Sequence, residues 1–274
     1  MKSTEMRNPK TMHIDKASTL EMLRLINNEN LRSVEAVGEA IDSIAAAVDC
    51  ITEAIRNGGR LIYVGAGTSG RLASADAAEC PPTYGVDYNT VIAVVAGGES
   101  ALVRAAENIE DRGDEGVRAL MAVSLCEKDV VMGISASGDA KFVASGMEYA
   151  KSLGCKTVSL SSNADALIGK LADHPIFCDT GAEVITGSTR MKAGNAQKMV
   201  MNMITTSVMI KLGKVYENMM INLKPTNTKL RDRMVRIVLE IIPEISYTDA
   251  ERLLSDNGFF IPSAVEAYRK GENK

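Results

Sequence analysis

The sequence predicts an α/β fold: a doubly wound parallel sheet, preceded by helices and followed by a small helical module. Three observations carry this. Short continuous apolar runs alternate with helix-length segments between residues 61 and 178, as in parallel strands covered on both faces. The first run breaks into Gly65-Ala66-Gly67-Thr68-Ser69-Gly70, a turn that delivers the chain into a helix N-terminus. Residues 228–274 divide into three short helical stretches with no strand pattern. The organisation expected is an N-terminal arm with helices over 1–50, the α/β domain over 51–224 and the helical module over 225–274.

Taken in order, residues 1–16 read as a mobile arm. Ser18-Thr19-Leu20-Glu21 fits a capping box, S-x-x-E, opening a helix through Leu23 and Ile26. A second helix is expected from Leu31 to Arg56. Its apolar positions Val34, Val37, Ile41, Ile44, Val48, Ile51 and Ile55 step by three and four, and Asn57-Gly58-Gly59 ends it. Strands are expected at 61–64, 91–96, 130–135, 157–161 and 176–178. Helices fit at 69–79, 99–109, 114–123, 139–153 and 164–172, with Pro81 and Pro82 stopping the first. Ligands of such sheets sit beyond the carboxyl ends of the strands. Gly65–Gly70, Gly97-Gly98, Ser135–Gly138 and Ser161–Asn163 are therefore expected to share one crevice. Residues 188–212 predict a helix that is apolar almost all round, hence buried or at a subunit interface. Pro225 marks a break, and Asp256-Asn257-Gly258 with Pro262 separates the last two helices.

The bulk composition narrows the function classes. A chain of 274 residues that is 46% apolar, with no Trp and four Phe, builds an aliphatic core. A net charge of −4 without a basic stripe argues against a nucleic-acid partner. No apolar run approaches the ~20 residues of a membrane span, and MKSTEMRNPK has no signal-peptide core. The five scattered cysteines read as reduced thiols of a cytoplasmic protein, without a CxxC pair for zinc. His13 and His174 are too few for a histidine metal centre, so no metal is expected.

The turn after the first strand is the principal chemical signal. The first amides of a helix have no internal acceptor, and the helix dipole favours an anion there. Gly67, Thr68, Ser69 and Gly70 are candidates to bind the phosphate of a sugar phosphate, with Thr68 and Ser69 adding hydroxyls. The turn also fits the dinucleotide pattern G-x-G-x-x-G. That pattern expects an acid about 20 residues on, at the end of the second strand; here Ala96-Gly97-Gly98-Glu99 stands nearly thirty residues on. Ser135, Ser137 and Gly138 repeat the strand–hydroxyl–helix logic as a second side of the cradle; alternatively these serines are simple caps. Ser188 and Lys192 open the long apolar helix, where Arg190 and Lys192 either lie in solvent or close over an anionic ligand. Glu79, at the expected end of its helix, sits in an unfavourable dipole field. With partial burial that raises a carboxyl pKa and suits a general acid. Glu107 and Glu110 are one helical turn apart on one face, but by themselves they read better as a solvated acidic run with Asp111, Asp114 and Glu115 than as a catalytic pair. Asp76 is a third carboxylate candidate. Cys80 lacks a nearby histidine, and His174 reads as structural.

The stretches GAGTSGR…AAECPPTYG, AGGES…AENIED, SASG and TGSTRMKAGNAQKMVMNMI together resemble the N-acetylmuramic acid 6-phosphate etherases of the sugar isomerase (SIS) superfamily, to which the glucokinase regulatory protein is related. The resemblance runs from about Ser18 to about Leu230. It implies a SIS sugar-phosphate domain and a lyase that splits the 3-O-lactyl ether of a phosphorylated amino sugar into N-acetylglucosamine 6-phosphate and D-lactate. It implies no cofactor, and a homodimer. It assigns the proton-donor role to Glu79 and the second active-site acid to Glu110. Asp139-Ala140-Lys141 stands where the family pattern carries Arg-Thr-Pro. A non-catalytic sugar-phosphate regulator and an aldose–ketose isomerase of the same fold are the alternative readings.

Overall fold

The computed structural model describes residues 2–104, 108–223 and 228–272. Glu107 and Pro225 lie outside the described residues. Contacts divide the chain into two compact units, Met1–Ala77 with Asn89–Val208, and Ala78–Tyr88 with Met209–Lys274.

The first unit is the α/β body. Helices α1 (Thr19–Glu39) and α2 (Ile41–Arg56) precede β1 (Leu61–Gly65). The capping box forms as expected, with Ser18 accepting from the Glu21 amide and Glu21 accepting from the Ser18 amide. The break between the helices falls at Ala40, not before Leu31. Asn27-Asn28-Glu29-Asn30 is a weak helix-forming run, yet it stays helical because Glu29 is anchored in the interior (below).

Beyond β1 the alternation continues through α3 (Gly67–Tyr84), β2 (Val91–Val95), α4 (Ser100–Val103), α5 (Gly113–Ala122), β3 (Val130–Ile134), α6 (Lys141–Ser152), β4 (Lys156–Ser161), α7 (Leu167–Leu171) and β5 (His174–Phe177). All strand pairs of the resulting sheet are parallel, in the order β2-β1-β3-β4-β5. β1 and β3 are buried throughout, which explains their unbroken apolar sequence. The core is largely aliphatic: Ile62, Val64, Val131, Val143, Met147 and Ile168 pack together in one cluster that also holds Phe142. Between α3 and β1 the backbones nearly touch. A Cβ on Gly70 would lie 2.8 Å from the Gly65 carbonyl oxygen and 2.7 Å from Val95 Cγ1, so only glycine fits there.

Three expectations are corrected. Pro81 and Pro82 lie inside α3, which runs on to Tyr84. Each proline withdraws one backbone donor without forbidding helical φ, and the helix tolerates the loss. The long apolar helix, α8 (Lys192–Lys211), starts four residues later than expected. Ala193, Ala196, Val200, Met201, Ile204 and Val208 are buried within the chain, so its apolar surface is core. The arm is not free. Its 3-10 turns at Ser3–Glu5 and Pro9–Thr11 are sewn to the body: Thr4, Asn8 and Thr11 are buried, and Thr11 Oγ1 donates to the Val184 carbonyl at 2.8 Å.

The second unit contains the two-stranded ribbon β6 (Val215–Tyr216) and β7 (Met219–Met220) with α9 (Thr228–Ile241), α10 (Tyr247–Asp256) and α11 (Ile261–Glu272). Met234, Val238, Leu254, Ile261 and Ala264 form its own core.

Candidate active site

Strand order fixes where a ligand belongs. β1 has β2 on one side and β3 on the other, so successive connections leave in opposite directions and open a crevice at their carboxyl ends. A cavity of about 290 Å³ lies there. It is lined by Ala66–Ser69 after β1, Ile134 at the end of β3 with Ser135–Ser137 and Ala140 beyond it, Gly187 and Thr189, Glu110, and Glu5 of the arm.

α3 begins at Gly67, which leaves its first amides without intrahelical acceptors. These amides and the Thr68 and Ser69 hydroxyls form one wall. On the other, Ser135 Oγ accepts from the Gly138 amide at 3.1 Å and Ser137 Oγ from the Asp139 amide at 3.3 Å. Each hydroxyl oxygen is thereby oriented, and the two hydroxyls share a hydrogen bond at 3.4 Å, which leaves one proton of the pair to donate to a ligand. Gly138 adopts a left-handed conformation (φ 77°), and a Cβ there would lie 2.2 Å from Ala166 Cβ. The close turn it permits sets the serines at the mouth of β3. No lysine or arginine lines the cavity among the described residues. An anion would therefore be held by amides, hydroxyls and a helix terminus.

The site predicted from sequence is assembled in part. Gly67, Thr68, Ser69, Ser135, Ser137 and Glu110 line one cavity. Gly70 and Gly138 stand behind it as backbone supports. Gly97-Gly98 and Ser161–Asn163 do not line it; Asn163 instead braces the β3 loop from behind, donating to the Ala136 carbonyl at 3.1 Å. Ser188 does not line it either, although its neighbours Gly187 and Thr189 do.

Lys192 is a correction. Its ammonium is buried and pairs with Glu29 at 2.7 Å, so it faces the interior and not the cavity. Glu29 also accepts from Asn8 at 2.7 Å and pairs with Lys10 at 3.1 Å. Burial pushes the Glu29 carboxyl up, but the hydrogen bonds from Lys192, Asn8 and Lys10 outweigh it and hold the group at about 2. Nearby, the buried Glu183 carboxylate accepts from the amides of Lys192 (3.0 Å) and Ala193 (3.0 Å), capping α8; its burial raises its pKa. Together these groups fix the loop that supplies Gly187 and Thr189.

Glu79 lies in the body of α3, five residues before its end, and its side chain is exposed. The partial burial and terminal dipole field expected for it are not present within this chain. It belongs to the second compact unit, whereas Glu110 and the whole cavity belong to the first. Asp76 is the buried acid of α3. Burial raises its pKa, while hydrogen bonds from Asn202, Tyr63 and Thr205 oppose the rise. Tyr63 donates to it at 2.9 Å, so Asp76 is engaged in tying α3 to β1 and α8. Cys80, Cys155 and Cys178 are buried.

The cavity lining includes two side chains that the sequence did not single out, Glu5 and Thr189. Thr189 sat within a quoted motif. Glu5 had no local signal, because only its docking brings it to the cavity.

Among solved structures, the fold is similar to phosphoheptose isomerases from Francisella tularensis (TM-score 0.53, 17% identity, 70% of this chain and 98% of that one) and Neisseria gonorrhoeae (TM-score 0.53, 16% identity, 70% and 99%). Residues 43–151 match the model of the glucokinase regulatory protein N-terminal SIS domain. N-acetylmuramic acid 6-phosphate etherases are similar over nearly their full length. That of Halalkalibacterium halodurans is 48% identical over 263 residues, covering 96% of this chain and 88% of the relative. That of Clostridioides difficile is 46% identical over 271 residues, covering 99% and 89%. Such identity, sustained across both chains, shows that this chain belongs to the N-acetylmuramic acid 6-phosphate etherase family.

Proposed function

We infer that the chain is a carbon–oxygen lyase that converts N-acetylmuramic acid 6-phosphate and water to N-acetylglucosamine 6-phosphate and D-lactate. The observation that carries this reading is the 46–48% identity to etherases over at least 93% of the chain. The cavity suits such a substrate. Its amides and hydroxyls would hold the 6-phosphate, and Glu110 lines the same space.

The chemistry follows from the substrate. Opening the sugar ring exposes an aldehyde at C1, which acidifies the C2 proton. Glu110, as base, takes that proton. The electron pair forms the C2–C3 double bond as the C3–O bond breaks, and Glu79, as acid, protonates the departing lactyl oxygen. Water then adds its hydroxyl at C3 and a proton returns to C2. The sequence needs neither a metal nor a redox cofactor. General acid–base help of this kind contributes ~10²–10⁴ in rate per group. The phosphate, remote from the reacting carbons, supplies binding energy that positions them.

The protein is proposed to act as a homodimer in the cytoplasm. Helix α1 supports self-association. Leu20, Leu23, Leu31 and Val34 are each more than half exposed, and their spacing puts them on one face. An odd number of scattered cysteines, with no CxxC pair, suits a reducing compartment.

The test is stoichiometric D-lactate release from N-acetylmuramic acid 6-phosphate, which Glu79→Gln should abolish while retaining phosphosugar binding. Binding without release by the wild-type protein would make it a sensor. Aldose–ketose interconversion without lactate would make it an isomerase. Full activity of Glu79→Gln would remove that residue as the acid.

A further inference from the structure

We infer that Glu5, carried into the cavity by the N-terminal arm, contacts the sugar and reads its hydrogen-bond donors. Three observations meet at this residue. Glu5 lines the same cavity as the hydroxyl loops and Glu110. Its Oε2 stands over Gly187, 3.5 Å from where a Cβ there would lie, so the carboxylate lies against the loop that gives the cavity Gly187 and Thr189. Among the described residues its carboxylate has no hydrogen bond or ion pair, so both oxygens keep their acceptor capacity.

The arm that presents it is fixed on both sides of Glu5. Lys2 Nζ donates to the Ser137 carbonyl at 2.7 Å and ion-pairs with Asp139. Ser3 Oγ donates to Asn163 Oδ1 at 3.1 Å, and Asn163 Nδ2 donates to Thr4 Oγ1 at 3.2 Å. Asn8 holds the far side through Glu29 and the Ala182 carbonyl. Three of these anchors, Ser137, Asp139 and Asn163, belong to or brace the loop that carries the phosphate-facing serines. The arm and that loop therefore form one polar assembly, with Glu5 at its inner edge.

A carboxylate only accepts, so its partner must be a donor. A phosphate dianion offers none, and two anions in one small space repel. Glu5 therefore addresses the neutral part of the ligand, a hydroxyl or the acetamido N–H of the amino sugar, while the loops address the phosphate. Glu5 thus favours a hydroxylated or amidated sugar phosphate over a bare phosphate or a doubly phosphorylated ligand.

This inference rests on the phosphosugar reading of the cavity, and binding tests it apart from ether cleavage. Titration calorimetry on the full chain would compare N-acetylglucosamine 6-phosphate with inorganic phosphate. Glu5→Ala should weaken the sugar phosphate about 10- to 100-fold, as expected for a lost charge-assisted hydrogen bond. Inorganic phosphate should stay within about twofold. Asn163→Ala, which unpins the arm, should weaken the sugar phosphate too, with Glu5→Ala adding little on top. Equal losses for both ligands in Glu5→Ala would reduce Glu5 to a wall residue and overturn the inference, as would no loss for either. If the wild-type chain binds neither ligand, the phosphosugar reading falls and this inference with it. If it binds both but releases no lactate, only the ether chemistry falls.

Discussion

Glu110 is held by the loop between α4 and α5, and its backbone carbonyl accepts from the Phe142 amide at 2.9 Å. Its side chain can thus be changed without dismantling the backbone beneath. Glu110→Gln should stop solvent deuterium from entering C2 of the product, with sugar-phosphate affinity within a few-fold of wild type. Undiminished C2 labelling would clear Glu110 of the base role. Gly138 is the less forgiving position. Gly138→Ala places a methyl against Ala166 at a left-handed φ, so a loss of ~1–3 kcal/mol in stability is expected. The loss should appear in denaturant titrations together with weaker phosphate binding, and unchanged phosphate affinity would show that the turn does not set the serines. At this scale the sequence was informative wherever function was local. Gly67-Thr68-Ser69 and Ser135–Gly138 could be read because a strand end, a glycine and hydroxyls adjacent in sequence are adjacent in space. Lys192 was misjudged because a cation at a helix start looks the same whether it meets solvent or a buried carboxylate. Only the position of Glu29 in the fold decides that.

Among the elements, α1 and α8 depend on each other through Glu29 and Lys192. The interior carboxylate titrates at about 2, below the 4.5 of an unperturbed glutamate. Its contribution to stability is therefore complete above about pH 4.5 and is lost as pH falls towards 2. The melting temperature should decline through that window, and Glu29→Gln should lose the part of the decline that Glu29 supplies. At pH 7 the same variant strands a buried ammonium, a change that costs ~3–5 kcal/mol in comparable pairs. A variant melting within a degree or two of wild type at pH 7 would show the pair to be dispensable. The anchored Glu29 also explains why the helix break was misplaced in sequence. Three asparagines signal a loop by propensity, and a tertiary ion pair overrides them. The end of α3 was missed for the converse reason, since two adjacent prolines normally stop a helix but can also continue one with two donors fewer.

For the whole molecule, the parallel sheet and the helical tail were legible because apolar runs and helical periodicity are properties of composition at close range. Association is the property left for solution measurement. The apolar face of α1 predicts that Leu23→Glu with Leu31→Glu shifts a concentration-dependent dimer to monomer in sedimentation experiments. A single unchanged species at all concentrations would remove α1 from the interface.

The arm's attachments reach far along the chain: Lys2 to Ser137 is 135 positions, and Asn8 to Ala182 is 174. Contacts this distant in sequence carry the largest loop-closure penalty, so they form late. The arm, although it precedes the body in the chain, would thus be among the last segments to find its place. A ligand that needs the arm would then slow the chain's unravelling while doing nothing to hasten its collapse.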